Sequence, residues 1–320
     1  MACCPDVPLK KPLLDKEVEE LHCTFQPKQL VPFWYRSPYP GRDWFIADSG
    51  SAGQNCMLKG AIHVHSTYSD GEFTLAELRE LYIAAGCNFL CMTDHAEAFD
   101  ADSLTTYTLE CRSLSDDRIR LIAGLEYSCD RRMHVLGLGA TSPANSKDPQ
   151  QVIRHIKREG GISVIAHPMD SSFEWIESFD ELPHGIEAWN SKYDGRYAPR
   201  PNTFHLLNRL RRRQPQMHAF YGQDMHYKKQ YRGLFNIVQC QTAAREEILT
   251  SLAHGDYAGI KGDLEMPSSG GLPAELLARF GKVHQHSDRM RRLIKEAEKM
   301  AIDFGAPLPA TVKAQLRRIL

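Results

Sequence analysis

From Leu58 onward, short apolar runs alternate with amphipathic segments. LKGAIHVH, NFLCMTDH, RIRLIAGLEYS, MHVLGLG, GISVIAHP, GIEAWN and MHAFYGQDMH have the length and apolar character of buried strands. Helices with their own start signals lie between several of them. Thr74 and Glu77 form a capping box ahead of Leu75, Leu78, Leu81 and Tyr82. Asp148 and Pro149 open another helix, which Gly160 closes. Strands alternating with helices predict parallel pairing through crossover helices, and so an α/β barrel or a doubly wound sheet.

Both ends of the chain break this pattern. Residues 1–57 contain Pro27, Pro32, Pro38 and Pro40 and no sustained periodicity, which predicts an irregular N-terminal extension. Its aromatics Phe33, Trp34, Tyr35, Trp44 and Phe45 predict that part of it packs on the barrel, because disordered leaders are poor in aromatics. DLEMPSSGGLP at 263–273 reads as a turn-rich linker. Beyond it, Met290, Leu293, Ile294, Ala297, Met300, Ala301 and Phe304 fall on one stripe of a long helix. That stripe would face the barrel or a homodimer mate. The expected organisation is an extension at 1–57, a barrel at 58–262, and a linker with C-terminal helices at 263–320.

Composition narrows the class of protein. The 39 basic and 40 acidic residues nearly cancel, so no global field favours nucleic acid, although a local groove could still bind it. No apolar run approaches the roughly 20 residues that span a bilayer. Pro5, Asp6 and Pro8 stand where a signal peptide would be apolar. The 9 cysteines are odd in number and form no CxxC pair, which suits reduced thiols. A cytoplasmic protein with no membrane segment is expected.

The candidate chemistry begins in AIHVHSTYSDG. His63 and His65 are two apart on a strand, so both project from one face, and Asp70 follows in a Ser-Asp-Gly turn. Imidazole with carboxylate suits Zn, Mn or Fe. Alone, this fragment supports a metal site only weakly. The arrangement recurs, however, at five further strand-like segments: Asp94 and His95 end one, Glu126 ends another, His134 begins a third, His167 ends a fourth, and Asp224 and His226 end a fifth. The rim of a barrel gathers such residues into one pocket. Six histidines and three carboxylates exceed one four-coordinate site, which predicts two or three divalent ions with Glu126 as the bridge. Glu126, His95 and Asp224 are the candidate catalytic residues, and a metal-bound hydroxide would be the nucleophile. Arg196 and Arg131 (or its neighbour Arg132) could offer a fork to phosphate from nearby loops. Asp94 could orient His95. No separate Ser or Cys nucleophile is indicated.

The ordered set resembles the PHP (polymerase and histidinol phosphatase) superfamily over about residues 58–262. The matching pieces are His63-x-His65 with Ser69-Asp70-Gly71, Thr93-Asp94-His95, Gly124-Leu125-Glu126, His134, Ala166-His167-Pro168 and Asp224-x-His226. The resemblance implies a distorted (β/α)7 TIM-like barrel, a trinuclear Mn, Fe or Zn centre and phosphoesterase activity. It implies His63, His65, Glu126 and Asp224 on one metal, Glu126, His134 and His167 on a second, and Asp70, His95 and His226 on a third. Asp70 is similar to the branch of small phosphatases that act on nucleoside phosphates. The expected activity is therefore hydrolysis of a small phosphomonoester, of the nucleotide or sugar phosphate class. The alternatives are an exonuclease or a bisphosphate or cyclic nucleotide phosphodiesterase, for which LNRLRRR at 207–213 would supply basic surface, and a non-catalytic metal-binding interaction module.

Overall fold

The computed structural model describes residues 56–303, and beyond them Pro309 and Val312. The aromatic N-terminal extension falls outside the described residues, save its last two positions, Cys56 and Met57, which open the first strand.

In chain order the elements are β1 (Cys56–Val64), α1 (Leu75–Ala84), β2 (Phe89–Met92), β3 (Asp94–His95), α2 (Ala101–Ser113), β4 (Arg120–Ile122) and β5 (Leu125–Ser128). There follow β6 (His134–Leu138), α3 (Pro149–Arg158), β7 (Ile162–Ala166), α4 (Phe173–Glu177), β8 (Gly185–Asn190), α5 (Pro201–Arg211) and β9 (His218–Gly222). The described chain closes with β10 (Phe235–Cys240), α6 (Arg245–His254), β11 (Tyr257–Lys261), β12 (Leu264–Pro267) and α7 (Ala274–Asp303). The helix starts read from the sequence hold. Thr74 and Glu77 make a reciprocal capping box, and Asp148 caps α3 with Pro149 in its first turn.

The fold is α/β, built on two six-stranded mixed sheets in the orders β12-β11-β10-β1-β2-β4 and β3-β5-β6-β7-β8-β9. Uniformly parallel pairing is not what the chain adopts. β5–β6, β6–β7, β1–β10, β10–β11 and β11–β12 are antiparallel. Part of the reason is connection length. Only residues 129–133 join β5 to β6, too few for a crossover helix, so the chain must double back. Segment 263–273 differs from a plain linker as well. Leu264–Pro267 return beside β11 after a tight turn at Gly262, whose φ of 56° is easy for glycine.

Two junctions tie the sheets together. β2 passes through Thr93 directly into β3, and the Thr93 amide donates to Val64 O at 3.0 Å. On the other side, the end of β1 meets the segment after β9. His65 N donates to Met225 O at 3.0 Å, Gln223 N to Ile62 O at 3.1 Å and Met225 N to His63 O at 3.3 Å. Between the sheets and helices lies a dry core that includes Ile62, Phe89, Leu90, Val135, Val164, Ile186, Trp189 and Phe220, all fully buried. The amphipathic α3 adds Val152, Ile153 and Ile156 to it.

The long C-terminal helix starts at Ala274 and packs through its first turns, where Leu276, Leu277 and Phe280 are buried. Leu293 and Met300 of the expected apolar stripe are exposed. Among the described residues, no helix is long and apolar enough to cross a membrane.

Candidate metal centre

All nine sequence-selected residues converge on one end of the strands. His63 lies near the end of β1 and His65 just past it; His95 ends β3. Glu126 is the second residue of β5, and His167 follows β7. Asp224 and His226 follow β9, while Asp70 lies in the turn after β1. His134 opens β6, and because β6 runs antiparallel to β5 and β7, its first residue reaches the rim where β7 ends.

His63 and His65 share this pocket for a reason other than regular alternation. The register of β1 on β2 slips between Ile62 and Val64, which leaves His63 as the extra residue with φ of 63°. Such a bulge bends the strand and re-aims its side chain. His167 and Asp224 also adopt positive φ, 29° and 52°. Three of the nine side chains are thus set by backbone that L-residues rarely adopt.

Glu126 is the hub. Its Oε2 lies 3.1 Å from His65 Nε2, 3.3 Å from His63 Nε2 and 3.6 Å from His95 Nδ1. Its Oε1 lies 2.8 Å from His134 Nδ1 and 3.2 Å from His167 Nε2. Asp70 meets His226 at 3.2 Å and His95 at 3.6 Å. Asp224 lies 3.3 Å from His226 Nδ1 and 3.8 Å from His63, His65 and His167. Donor atoms close enough to share an ion come together in four overlapping groups: His65, Asp70, His95 and His226; His63, Glu126 and His167; His63, His65 and Asp224; His95, Glu126 and His134.

The electrostatics is that of a buried site whose parts compensate one another. Burial opposes charge on His63, but Glu187, Asp224 and Glu126 outweigh it and hold the imidazole well above its usual range. Burial dominates at His65 and takes it down to about 4. Glu126 is buried too, yet His63, His134 and His167 keep its carboxyl well below the normal range. Despite this, His63 Nε2 and both ring nitrogens of His65 are buried without a well-directed hydrogen bond among the described residues. Buried polar atoms ordinarily have partners. Imidazole nitrogens left over around a shared carboxylate are the donor set a divalent transition metal takes, so the residues fit such ions.

Side chains not singled out in the sequence complete the site. Glu187, buried in the middle of β8, stands 2.7 Å from His63 Nδ1 and accepts from the His167 amide at 2.8 Å. Asn190 Nδ2 donates to Glu187 at 2.8 Å and to Asp224 at 3.2 Å. Lys192 Nζ donates to Asp224 Oδ1 at 2.9 Å. The available signal was the acid inside GIEAWN, because a carboxylate within a wholly buried strand must have a partner. Gly222 makes room for it, since a Cβ there would overlap Glu187 Oε1.

Other candidates are placed differently. Asp94 does not orient His95: it accepts from Ser66 N, Ser66 Oγ and Ser69 Oγ at 2.7–2.9 Å, and so fixes the turn that carries Asp70. Arg131 lies outside the four donor groups, with its guanidinium 4.5 Å from the Trp175 ring centroid. Arg196 is half-buried, within electrostatic reach of Arg232 and Lys261.

Known proteins share parts of this sequence and fold. The chain resembles the DNA polymerase/3'-5' exonuclease PolX of Bacillus subtilis (strain 168), with 32% identity over 78 residues. That stretch is 22% of this chain, and it spans only 14% of the relative's length. A solved two-domain protein from Bacteroides vulgatus, containing a predicted PHP-like metal-dependent phosphoesterase, superposes with a TM-score of 0.51 at 18% identity. The overlap covers 76% of this chain and 74% of that one, and shows a common fold. The sequence model of the PHP domain family matches residues 61–303, which takes in all nine convergent residues, β12 and α7. The chain belongs to the PHP domain family.

Proposed function

We propose that this protein is a metal-dependent phosphoesterase that hydrolyses a small phosphomonoester of the nucleotide or sugar phosphate class. The observation that carries this reading is the convergence of six imidazoles and three carboxylates around Glu126, with each Glu126 oxygen facing a different set of histidines. That layout suits two or three divalent ions, of Mn, Fe or Zn. His63, His65 and Asp224 would serve one, His134 and His167 a second, and Asp70, His95 and His226 a third, with Glu126 shared. When bound, the metals would supply Lewis acidity toward a phosphoryl oxygen and a more acidic water.

The chain's own residues do the rest. Glu187 fixes the ring of His63 and the backbone of His167, as partners behind metal ligands commonly do. Asn190 ties Glu187 to Asp224. Lys192, partly exposed beside Asp224, can turn its ammonium toward a substrate phosphate. The two joints between the sheets support reading the strands as the family's distorted barrel.

The test is phosphate release from a panel of nucleotides and sugar phosphates by protein loaded with Mn²⁺, and its loss on chelation. No release with any metal, once the metals are shown to be bound, would sink the proposal. A second reading, exonuclease action, is favoured by the local resemblance to PolX. Digestion of an end-labelled oligonucleotide separates the two, because a phosphomonoesterase leaves its length unchanged.

A further inference from the structure

Three cationic side chains gather around the loop after β8, and none pairs with a carboxylate among the described residues. Arg196 belongs to that loop, Arg232 lies between β9 and β10, and Lys261 ends β11. Lys261 Nζ donates to the carbonyl of Arg232, and Arg232 Nη1 donates to the carbonyl of Ser191. The Lys261 ammonium also stands 5.6 Å from the centroid of the buried Trp189 ring. Arg232 Nε is buried and has no hydrogen-bond partner among the described residues. All three side chains are half-buried, so they lose hydration yet stay within reach of solvent.

The charges acting on Lys261 are both positive. Burial, then Arg196 and Arg232, takes its ammonium down to about 7. Burial and Arg196 likewise lower Arg232; Arg291 of α7 adds to this and the Tyr197 phenol opposes it. Arg291 has its own acid, Asp288, at 3.1 Å. Among the described residues the other three have none, and like charges brought together out of water stay costly until an anion joins them.

We propose that Arg196, Arg232 and Lys261 form a second anion-binding site, distinct from the nine-residue centre, that takes a phosphate-type oxyanion. Guanidinium forks match the oxygens of such an ion in pairs, and Arg232 Nε is a donor with no other engagement among the described residues. The site is linked to the candidate metal centre through the chain. Ser191, whose carbonyl holds Arg232, sits between Asn190 and Lys192, and both of those bond to Asp224. Two sources could supply the oxyanion: a second anionic group on the substrate, or free phosphate.

Calorimetric titration of inorganic phosphate into the full-length protein, with and without chelator, tests the proposal and does not depend on phosphoesterase activity. In chelator, wild type should still bind phosphate and gain thermal stability from it. R196Q and K261M should each weaken that binding about tenfold, the loss of one charge-assisted contact. Arg196 is in a loop, and K261M removes an unpaired charge while keeping the aliphatic stem, so both variants should fold, as circular dichroism can verify. No phosphate binding in chelator, or equal affinity in wild type and both variants, would overturn the site. Kinetics then separates the sources. If the substrate fills the site, K261M raises KM for substrates with two anionic groups at unchanged kcat and spares those with one. If free phosphate fills it, K261M leaves both KM values alone and removes only the response to added phosphate.

Discussion

The nine-residue centre and the Arg196–Arg232–Lys261 cluster pose the same electrostatic problem with opposite outcomes. In the centre, acids and imidazoles interleave, so Glu126 holds its charge because His63, His134 and His167 surround it. In the cationic cluster no acid interleaves among the described residues, and burial with the neighbouring arginines holds Lys261 and Arg232 below their usual ranges. A cluster that carries its own counter-charge can assemble before any ligand arrives. One that lacks it stays poised for an ion from outside.

The contrast can be broken at several points. Glu126→Gln removes the charge both halves of the centre share, and should cost on the order of 10³-fold in phosphate release, with fewer metals retained on elemental analysis. Full activity and full metal content in that variant would mean that Glu126 is not the hub. Glu187→Gln keeps the shape but weakens the hold on His63, and should lower metal affinity by about 10–100-fold in a chelator competition. An unchanged affinity would make Glu187 a purely structural acid.

Protonation sharpens the difference further. His63 and His167 are held above their usual range in the metal-free protein, whereas metal binding needs neutral rings. Metal uptake near pH 7 should therefore release about one proton or more per chain, and affinity should climb with pH. Calorimetry in buffers of different ionisation enthalpy reads this directly, and zero release would contradict the assignment.

The smallest effect belongs to the cations. Lys261 is held below its unfolded value, so the folded state binds fewer protons than the unfolded one between about pH 7 and the lysine range. Stability should rise with pH across that window and be lost as pH falls through about 7. The contribution is about 1 kcal/mol once solvent screening of a half-buried group is allowed for. Chemical denaturation of K261M should lack this slope.

The same contrast governs how much the sequence revealed. The nine residues stood out because few side chains can hold a metal and these recur at the ends of apolar runs. Asp94 was visible too, but not its role, since adjacency to His95 says nothing of Ser66 and Ser69 closing on it from an earlier turn. Glu187 was hidden in the middle of a strand, away from the tips. Arg232 and Lys261 gave no signal, because arginine and lysine are ordinarily solvated and only the fold brings these together. Strand direction was misread because apolar runs mark burial and not orientation. β12 was obscured by Pro267 and the serines and glycines after it.

The positive φ angles at His63, His167 and Asp224 have a consequence for the protein's life in a cell. Each such residue costs on the order of 1–3 kcal/mol to hold in place. On the proposed ligand assignment, bound metal offsets that cost by favouring the folded chain over the open one. Abundance should then follow metal supply. In starved cells the chain would open more often, reach proteases sooner and turn over faster, with no change in its synthesis.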